Sequence, residues 1–304
     1  MLKVSNLCFS YSDKPILKNI SFNVKEGELF ALLGVNGAGK STTINIICTL
    51  IDKKSGEVFV NGYSLGKEND NIRKSLGVVF QGNVLDNMLT AEENLLCRAS
   101  FYGLSQPKAK KRISDLAKNL SMESFLNQHY GELSGGQRRK CDIARALITE
   151  PRILILDEPT TGLDPQSRID LWDTIEQIRK SEKMTVLLTT HYMEEASNAD
   201  KIAIIDNGEM LCCDTPQSLK THYSLDTVKL IPKRNEFEKI ENFLKSGNIS
   251  FTFNVDTFFV NMENGLNAID FIAKNKENLD SVEILKGNMD NVFLNVVGRR
   301  FENE

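Results

Sequence analysis

The chain of 304 residues contains no apolar run close to the ~20 residues that carry a helix across a bilayer, so the sequence predicts a protein that is soluble by itself. Its first residues, MLKVSNLCFSY, alternate polar and apolar like a strand and lack the long apolar stretch of a signal peptide. Charge of neither sign gathers into a block. The 37 Lys and Arg against 41 Asp and Glu leave a net charge of -4, which gives no electrostatic footprint for nucleic acid. Six cysteines (Cys8, Cys48, Cys97, Cys141, Cys212 and Cys213) include no C-x-x-C pair. That argues against a zinc site or a disulfide framework and for reduced, buried thiols in a cytosolic protein. The length suits two domains, or one large and one small.

What is present is concentrated in residues 29–43, LFALLGVNGAGKSTT. The apolar run Leu29 to Leu33 fits a strand covered on both faces of a parallel sheet. GVNGAGKS then matches G-x-x-x-x-G-K-[ST], a loop whose backbone N–H groups wrap phosphate oxygens. Gly34, Asn36, Gly37, Ala38 and Gly39 form the loop, and glycines let the backbone approach a phosphate that a side chain would hold off. Lys40 supplies a point charge, Ser41 a hydroxyl for a magnesium ion, and the helix beginning at Ser41 and Thr42 turns its positive end to the same anion.

Around this core the pattern alternates. Residues 2–33 predict an antiparallel lead-in, in which Tyr11 is either core or a ring placed to stack on a base. SGEVFVNGYSL predicts two short strands about the Asn61-Gly62 turn. From about residue 82 to 150 the period becomes helical: Thr90 and Glu93 spell a capping box. Ile113, Leu116, Ala117 and Leu120 make one buried stripe, and the basic run Lys108 to Arg112 is expected to be a solvated face. LSGGQRRKCDIARALITE predicts a helix capped by Ser134, with Cys141, Ala144, Leu147 and Ile148 inward. Gly135 and Gly136 at its start cost on the order of 1 kcal/mol each against alanine. Something must approach that backbone closely, and an anion at the helix N-terminus is the physical candidate. Farther on, Ile169, Trp172 and Ile175 are expected to face inward on one helix, with Trp172 as packing.

Four apolar strands end in polar groups. FALL leads to the phosphate loop, VVF to Gln81, RILIL to Asp157 and Glu158, and VLLTT to His191. In open α/β sheets ligands bind at the carboxyl ends of strands, so these groups are predicted to meet at one edge. Asp157 and Glu158 point to opposite sides, so one can hold magnesium and the other can orient and deprotonate a water. A polar strand end capping the next helix is the structural alternative. His129 and His222 have no such setting.

Taken in order over residues 2 to about 222, Tyr11, GVNGAGKS, Gln81, LSGGQ at 133–137, ILILDE, TGLDP and His191 resemble the ATP-binding subunit of an ABC transporter. Val35 stands where that family often has proline, at a variable position. The resemblance implies that Tyr11 stacks on adenine, that Lys40 and the loop bind phosphates, and that Ser41 and Gln81 bind magnesium. It also implies that Asp157 supports the ion, Glu158 polarises the attacking water and His191 contacts the γ-phosphate. Ser134, Gly135, Gly136, Gln137 and Asp164 would reach the ATP of a second subunit, so that two chains, alike or related, sandwich each nucleotide. ATP and Mg2+ are the implied cofactors. An integral membrane permease is the implied partner, holding the chain at the inner face of the cell membrane and contacting the helical stretch from Gln81 to about 140.

HYMEEASNADKIAIIDNGEM and DNVFLNVVG are similar to the ATPases of drug-resistance exporters. An importer subunit is the runner-up. A soluble ABC protein acting on ribosomes or DNA would usually carry two cassettes or long insertions, whereas each motif occurs once here. A nucleotide-gated module without turnover is not expected with Glu158 and His191 both in place. Residues 225–297 follow the order βαββαβ of a ferredoxin-like unit. The predicted architecture is therefore an α/β P-loop ABC ATPase core over 1–222, mainly a parallel sheet with an antiparallel β subdomain and a helical subdomain at about 82–140. A small C-terminal α+β ferredoxin-like domain over 223–304, which regulates or helps pair the subunits, completes it.

Overall fold

The computed structural model describes residues 1–82, 84–247, 249–262 and 265–302. Strands β1 (Leu2–Tyr11) and β2 (Lys14–Val24) pair antiparallel, and their alternation sends Leu2, Val4, Leu7, Ile20 and Phe22 into the core. Strand β3 (Leu29–Leu33) enters a second sheet, while β4 (Ser55–Val60) and β5 (Tyr63–Ser64) complete the first in the order β2-β1-β4-β5. Asn61 and Gly62, with φ of 50° and 84°, make the turn between β4 and β5.

The second sheet adds β6 (Leu76–Val79), β7 (Ile153–Asp157), β8 (Thr185–Thr190), β9 (Lys201–Asp206) and β10 (Glu209–Asp214), in the order β10-β9-β3-β8-β7-β6. β9, β3, β8, β7 and β6 run parallel to one another. Every residue of β3, β7 and β8 is buried, as continuous apolar runs between two covering layers require. Around them stand α1 (Lys40–Ile47), α2 (Asn69–Ser75), α3 (Ala91–Phe101), α4 (Gln106–Asn119), α5 (Gly135–Leu147), α6 (Pro165–Glu182) and the single turn α7 (Met193–Ala196). The capping box of α3 is formed in full by Thr90 and Glu93.

Met1–Cys213 forms one compact unit and Asp214–Glu304 another. Helix α8 (Pro216–Tyr223) belongs to the second unit, where it packs on α11 (Met289–Glu302), whereas the sequence pattern had assigned residues 214–222 to the first. Between those helices run β11 (Asp226–Pro232), α9 (Phe237–Ser246), β12 (Phe251–Asn254), β13 (Thr257–Met262), α10 (Gly265–Asn275) and β14 (Leu279–Leu285). The sheet order β12-β13-β11-β14, all antiparallel, is that of the split βαββαβ unit. Its core is Val228, Leu230, Ile240, Leu244, Phe258 and Val260.

Several expectations are corrected. Ile169 is 56% exposed rather than inward, because the buried side of α6 is carried by Leu171, Thr174, Ile175 and Ile178. Trp172 is only partly buried, and its indole N–H has no hydrogen-bond partner. Arg112 does not belong to a solvated face: it donates to the Leu147 carbonyl at 2.8 Å and pairs with Glu150 and Glu182 at 3.8 and 3.5 Å. All six cysteines are thiols, but Cys97 is exposed; Cys48 and Cys141 are buried, and burial pushes both thiols up to about 12.

Candidate functional site

The parallel register brings the four strand ends to one level. Leu33 lies opposite Thr190 and Ile204, Asp157 opposite Thr189, and Val79 opposite Leu156. Each chain therefore leaves its strand on the same edge, carrying the phosphate loop, Gln81, Glu158 or His191 with it. Gly37 and Gly39 take φ of 86° and 107°, backbone that L side chains rarely adopt. Gly39 is also the N-cap of α1, which has no side-chain cap bond and no acidic residue in its first turn. Its leading N–H groups are thus left to an anion.

A cavity of about 330 Å3 opens on this loop, lined by Tyr11, Asn36, Gly37, Gly39, Lys40, Ser41, Thr42, Gln81 and Glu158 among others. Tyr11 is 54% exposed at its mouth, edge-on to Phe9 with ring centroids 4.8 Å apart, so it is a surface ring and not core. Ala38 is buried behind the loop, beneath Gly34. Lys40, 4% exposed, donates to the carbonyls of Gly34 (2.7 Å) and Val35 (3.2 Å) and stands 3.4 Å from a Glu158 oxygen.

Glu158 is the point where the strand ends converge. Its second oxygen accepts from Gln81 Nε2 and Thr161 Oγ1 at 3.3 Å each, and lies 3.3 Å from His191 Nδ1 without hydrogen-bond geometry. Its backbone has φ of 48°, left-handed for a residue with a side chain. The turn is held because Glu158 N–H donates to both the carbonyl and the hydroxyl of Thr189, each at 3.1 Å. Asp157 faces the other way, as adjacent strand residues do: it accepts from Thr189 Oγ1, and its Oδ1 is 3.4 Å from Ser41 Oγ.

The remaining sequence-expected residues are gathered elsewhere in the same unit. Ser134 and Gln137 cap each other reciprocally at the start of α5, at 2.9 and 3.3 Å. A Cβ on Gly136 would meet Ser167 Oγ at 2.9 Å, and one on Gly135 would meet Leu163 Cδ2 at 3.3 Å. The close approach expected at these glycines is thus met within the chain by the α6 N-terminus. Asp164 caps α6 through Ser167, and the bonds from the Ser167 hydroxyl and N–H hold its carboxyl below the usual carboxylate range. Ser134, Gly135, Gly136, Gln137 and Asp164 do not line the loop cavity.

Three contributors escape sequence reasoning: Thr189, Arg139, and Glu195. Buried Glu195 accepts from Thr160 Oγ1 and, at 2.6 Å, from Thr190 Oγ1, tying the segment after Glu158 to the strand end before His191. A threonine inside an apolar strand and an arginine inside a basic run carry no local signal of what they bind.

A five-strand parallel core with a glycine-rich phosphate loop at its carboxyl edge and a carboxylate beside the loop lysine defines a P-loop nucleotide-binding protein. A family model described as ABC transporter matches residues 17–161. The linearmycin resistance ATP-binding protein LnrL of Bacillus subtilis is 42% identical over 229 residues, covering 75% of this chain and 73% of that protein. The Nod factor export ATP-binding protein I of Rhizobium sp. is 40% identical over 211 residues, covering 69% of each. Among solved structures, the dimeric post-hydrolysis ATP-binding cassette MJ0796 bound to ADP and Pi is similar with a TM-score of 0.63 and 30% identity, over 71% of this chain and 98% of that one. The chain belongs to the ABC transporter family, as an ATP-binding protein with the ATPase fold.

Proposed function

We propose that this chain hydrolyses ATP to drive export of a substrate through a separate membrane permease. The support for export is the resistance and export roles in the names of its relatives. The support for hydrolysis is one observation: Glu158, 8% exposed, is held between Lys40, Gln81 and His191 at the edge of the parallel sheet. A carboxylate kept there accepts a proton from water as its oxygen attacks the γ-phosphorus. The bond from that phosphorus to the β–γ bridging oxygen breaks, and ADP leaves. Lys40 and the loop N–H groups stabilise the phosphate charge, while Tyr11 offers a ring face to the base.

Magnesium fits the residues present. The Ser41 hydroxyl and Asp157 carboxylate are adjacent hard oxygen donors, and Gln81 adds an amide. No cluster of three or more His, Cys, Asp or Glu that could hold a metal occurs among the described residues, which suits an ion held largely by substrate phosphates. When bound, it neutralises charge on the β- and γ-phosphates. Ser134, Gly136 and Asp164, apart from the loop cavity, are assigned to the nucleotide of a second ATP-binding chain. No described helix is long and apolar enough to cross a membrane, so the transport path is assigned to a permease, with this chain at the cytoplasmic face. The helical stretch from Gln81 to about residue 140, with α3 and α4, is the surface assigned to that partner.

One variant tests the reading. Glu158→Gln should lower turnover by about 100- to 10,000-fold while ATP binding is kept. Used with ATP as bait in detergent-solubilised membranes, it should also retain a polytopic permease. Normal turnover removes the role of Glu158, and recovery of ribosomal or DNA-bound proteins without any membrane protein removes the exporter.

A further inference from the structure

Arg139 is buried, 6% exposed. It spends its donors on three main-chain carbonyls: Nε to Pro159 at 2.6 Å, Nη1 to Phe80 at 2.8 Å and Nη2 to Glu158 at 3.3 Å. Phe80 precedes Gln81, so the two contacted segments carry the amide and the carboxylate that meet at 3.3 Å in the site. They follow different strands, β6 and β7, while Arg139 belongs to α5, five residues after Ser134. Burial lowers the affinity of this guanidinium for its proton, yet an arginine stays charged, so its position costs desolvation that the three carbonyls must offset.

We infer that Arg139 is a positioning residue for hydrolysis, which locks the segments bearing Gln81 and Glu158 to α5 as one rigid body. The inference rests on the role given above to Glu158. Its physical basis is the left-handed turn at Glu158: a non-glycine residue at φ of 48° persists only where the surroundings over-determine it. The Thr189 bonds fix its N–H side, and Arg139 fixes its carbonyl side. A planar fork carries its donors on three separate nitrogens and so reaches three carbonyls that diverge, whereas an ammonium gathers its three donors at one atom. A small displacement of Glu158 relative to the γ-phosphorus costs rate far more than it costs nucleotide affinity, because affinity is set by the loop and α1. The same fork makes α5, whose first turn is assigned to the nucleotide of the partner chain, move with the Gln81 and Glu158 of its own chain.

Arg145 provides the matched control. It lies on the same helix, is partly buried, and donates to one carbonyl, that of Val78 within β6, at 2.7 Å. In the full chain, Arg139→Lys and Arg139→Met should lower kcat at least about tenfold with KM for ATP within about threefold of the parent. Arg145→Met should lower thermal stability and leave kcat within about threefold. Three results overturn the inference: unchanged kcat in Arg139→Lys, parallel losses of kcat in the Arg139 and Arg145 variants, or failure of Arg139→Lys to fold while Arg145→Met folds. Glu158→Gln is measured alongside, so that a wrong role for Glu158 shows as normal turnover there and is separated from the contrast between the two arginines.

Discussion

The two units of the chain use their sheets in opposite ways. In the first, parallel strands are covered on both faces, so every residue of β3, β7 and β8 is buried and the charged groups collect at one edge. In the second, the antiparallel strands bury one set of alternate residues, such as Val228, Leu230, Phe258 and Val260, and leave Lys229 and Glu283 paired at 2.9 Å among the exposed set. Strand ends in the first unit deliver a lysine, a glutamine, two carboxylates and a histidine to one place. Among the described residues of the second, no comparable convergence occurs. The site is a consequence of parallel topology, which brings the carboxyl ends of several strands to one edge.

The contrast breaks if the second core matters to the nucleotide. Phe258 is fully buried among Phe237, Phe251 and Phe253, with ring centroids 4.7 to 5.4 Å away. Phe258→Ala should cost about 3–5 kcal/mol within that small core, enough to unfold it. Calorimetry should then lose the transition of the second unit while ATP binding persists; loss of ATP binding would show that the units do not fold separately.

A smaller effect sharpens the same comparison at the level of helices. Helix α3 owes its start to the Thr90–Glu93 capping box, whereas α9 has no side-chain cap bond and relies on the burial of Ile240 and Leu244. Thr90→Ala should cost about 1 kcal/mol in the first unit by removing the acceptor for the Glu93 N–H. A denaturant midpoint unchanged within error would mean that tertiary packing alone fixes α3.

Much of this was legible from residue order. Five-residue apolar runs ending in glycine, carboxylate or histidine specify buried parallel strands and the edge where their polar ends collect. Alternation and turn residues gave the βαββαβ unit. What escaped depends on contacts distant in sequence. Arg139 sits in the run Arg138–Lys140, which locally describes a wet helix face, and its partners are carbonyls 19 to 59 residues away. Arg112 was misjudged for the same reason, since its carbonyl partner is 35 residues on. Ile169 shows the converse: a helical period places it near the buried side, yet it is exposed, and the buried side of α6 begins at Leu171. Gly136 reads in the sequence as a point of close approach with an anion as the candidate; in the fold Ser167 of α6 stands beside it, a neighbour that residue order does not reveal.

The smallest expected effect is the most informative about the division of labour. A chain ending at Asp214 keeps all of β10 and every residue that lines the loop cavity, and it removes the second unit from Thr215 on, α8 included. Its affinity for ATP should stay within about twofold of the full chain, less than 0.5 kcal/mol on the scale where tenfold is about 1.4 kcal/mol. The loop, α1 and Lys40 set that affinity, and Gly208, which donates its N–H to the Ala38 carbonyl of the loop, stays in the shortened chain. Turnover need not be preserved to the same degree, because pairing of two chains is where a second unit of this kind can act. If nucleotide affinity fell tenfold or more, the boundary between catalytic and accessory parts would lie beyond Asp214, and α8 would have to be counted with the ATP-binding unit.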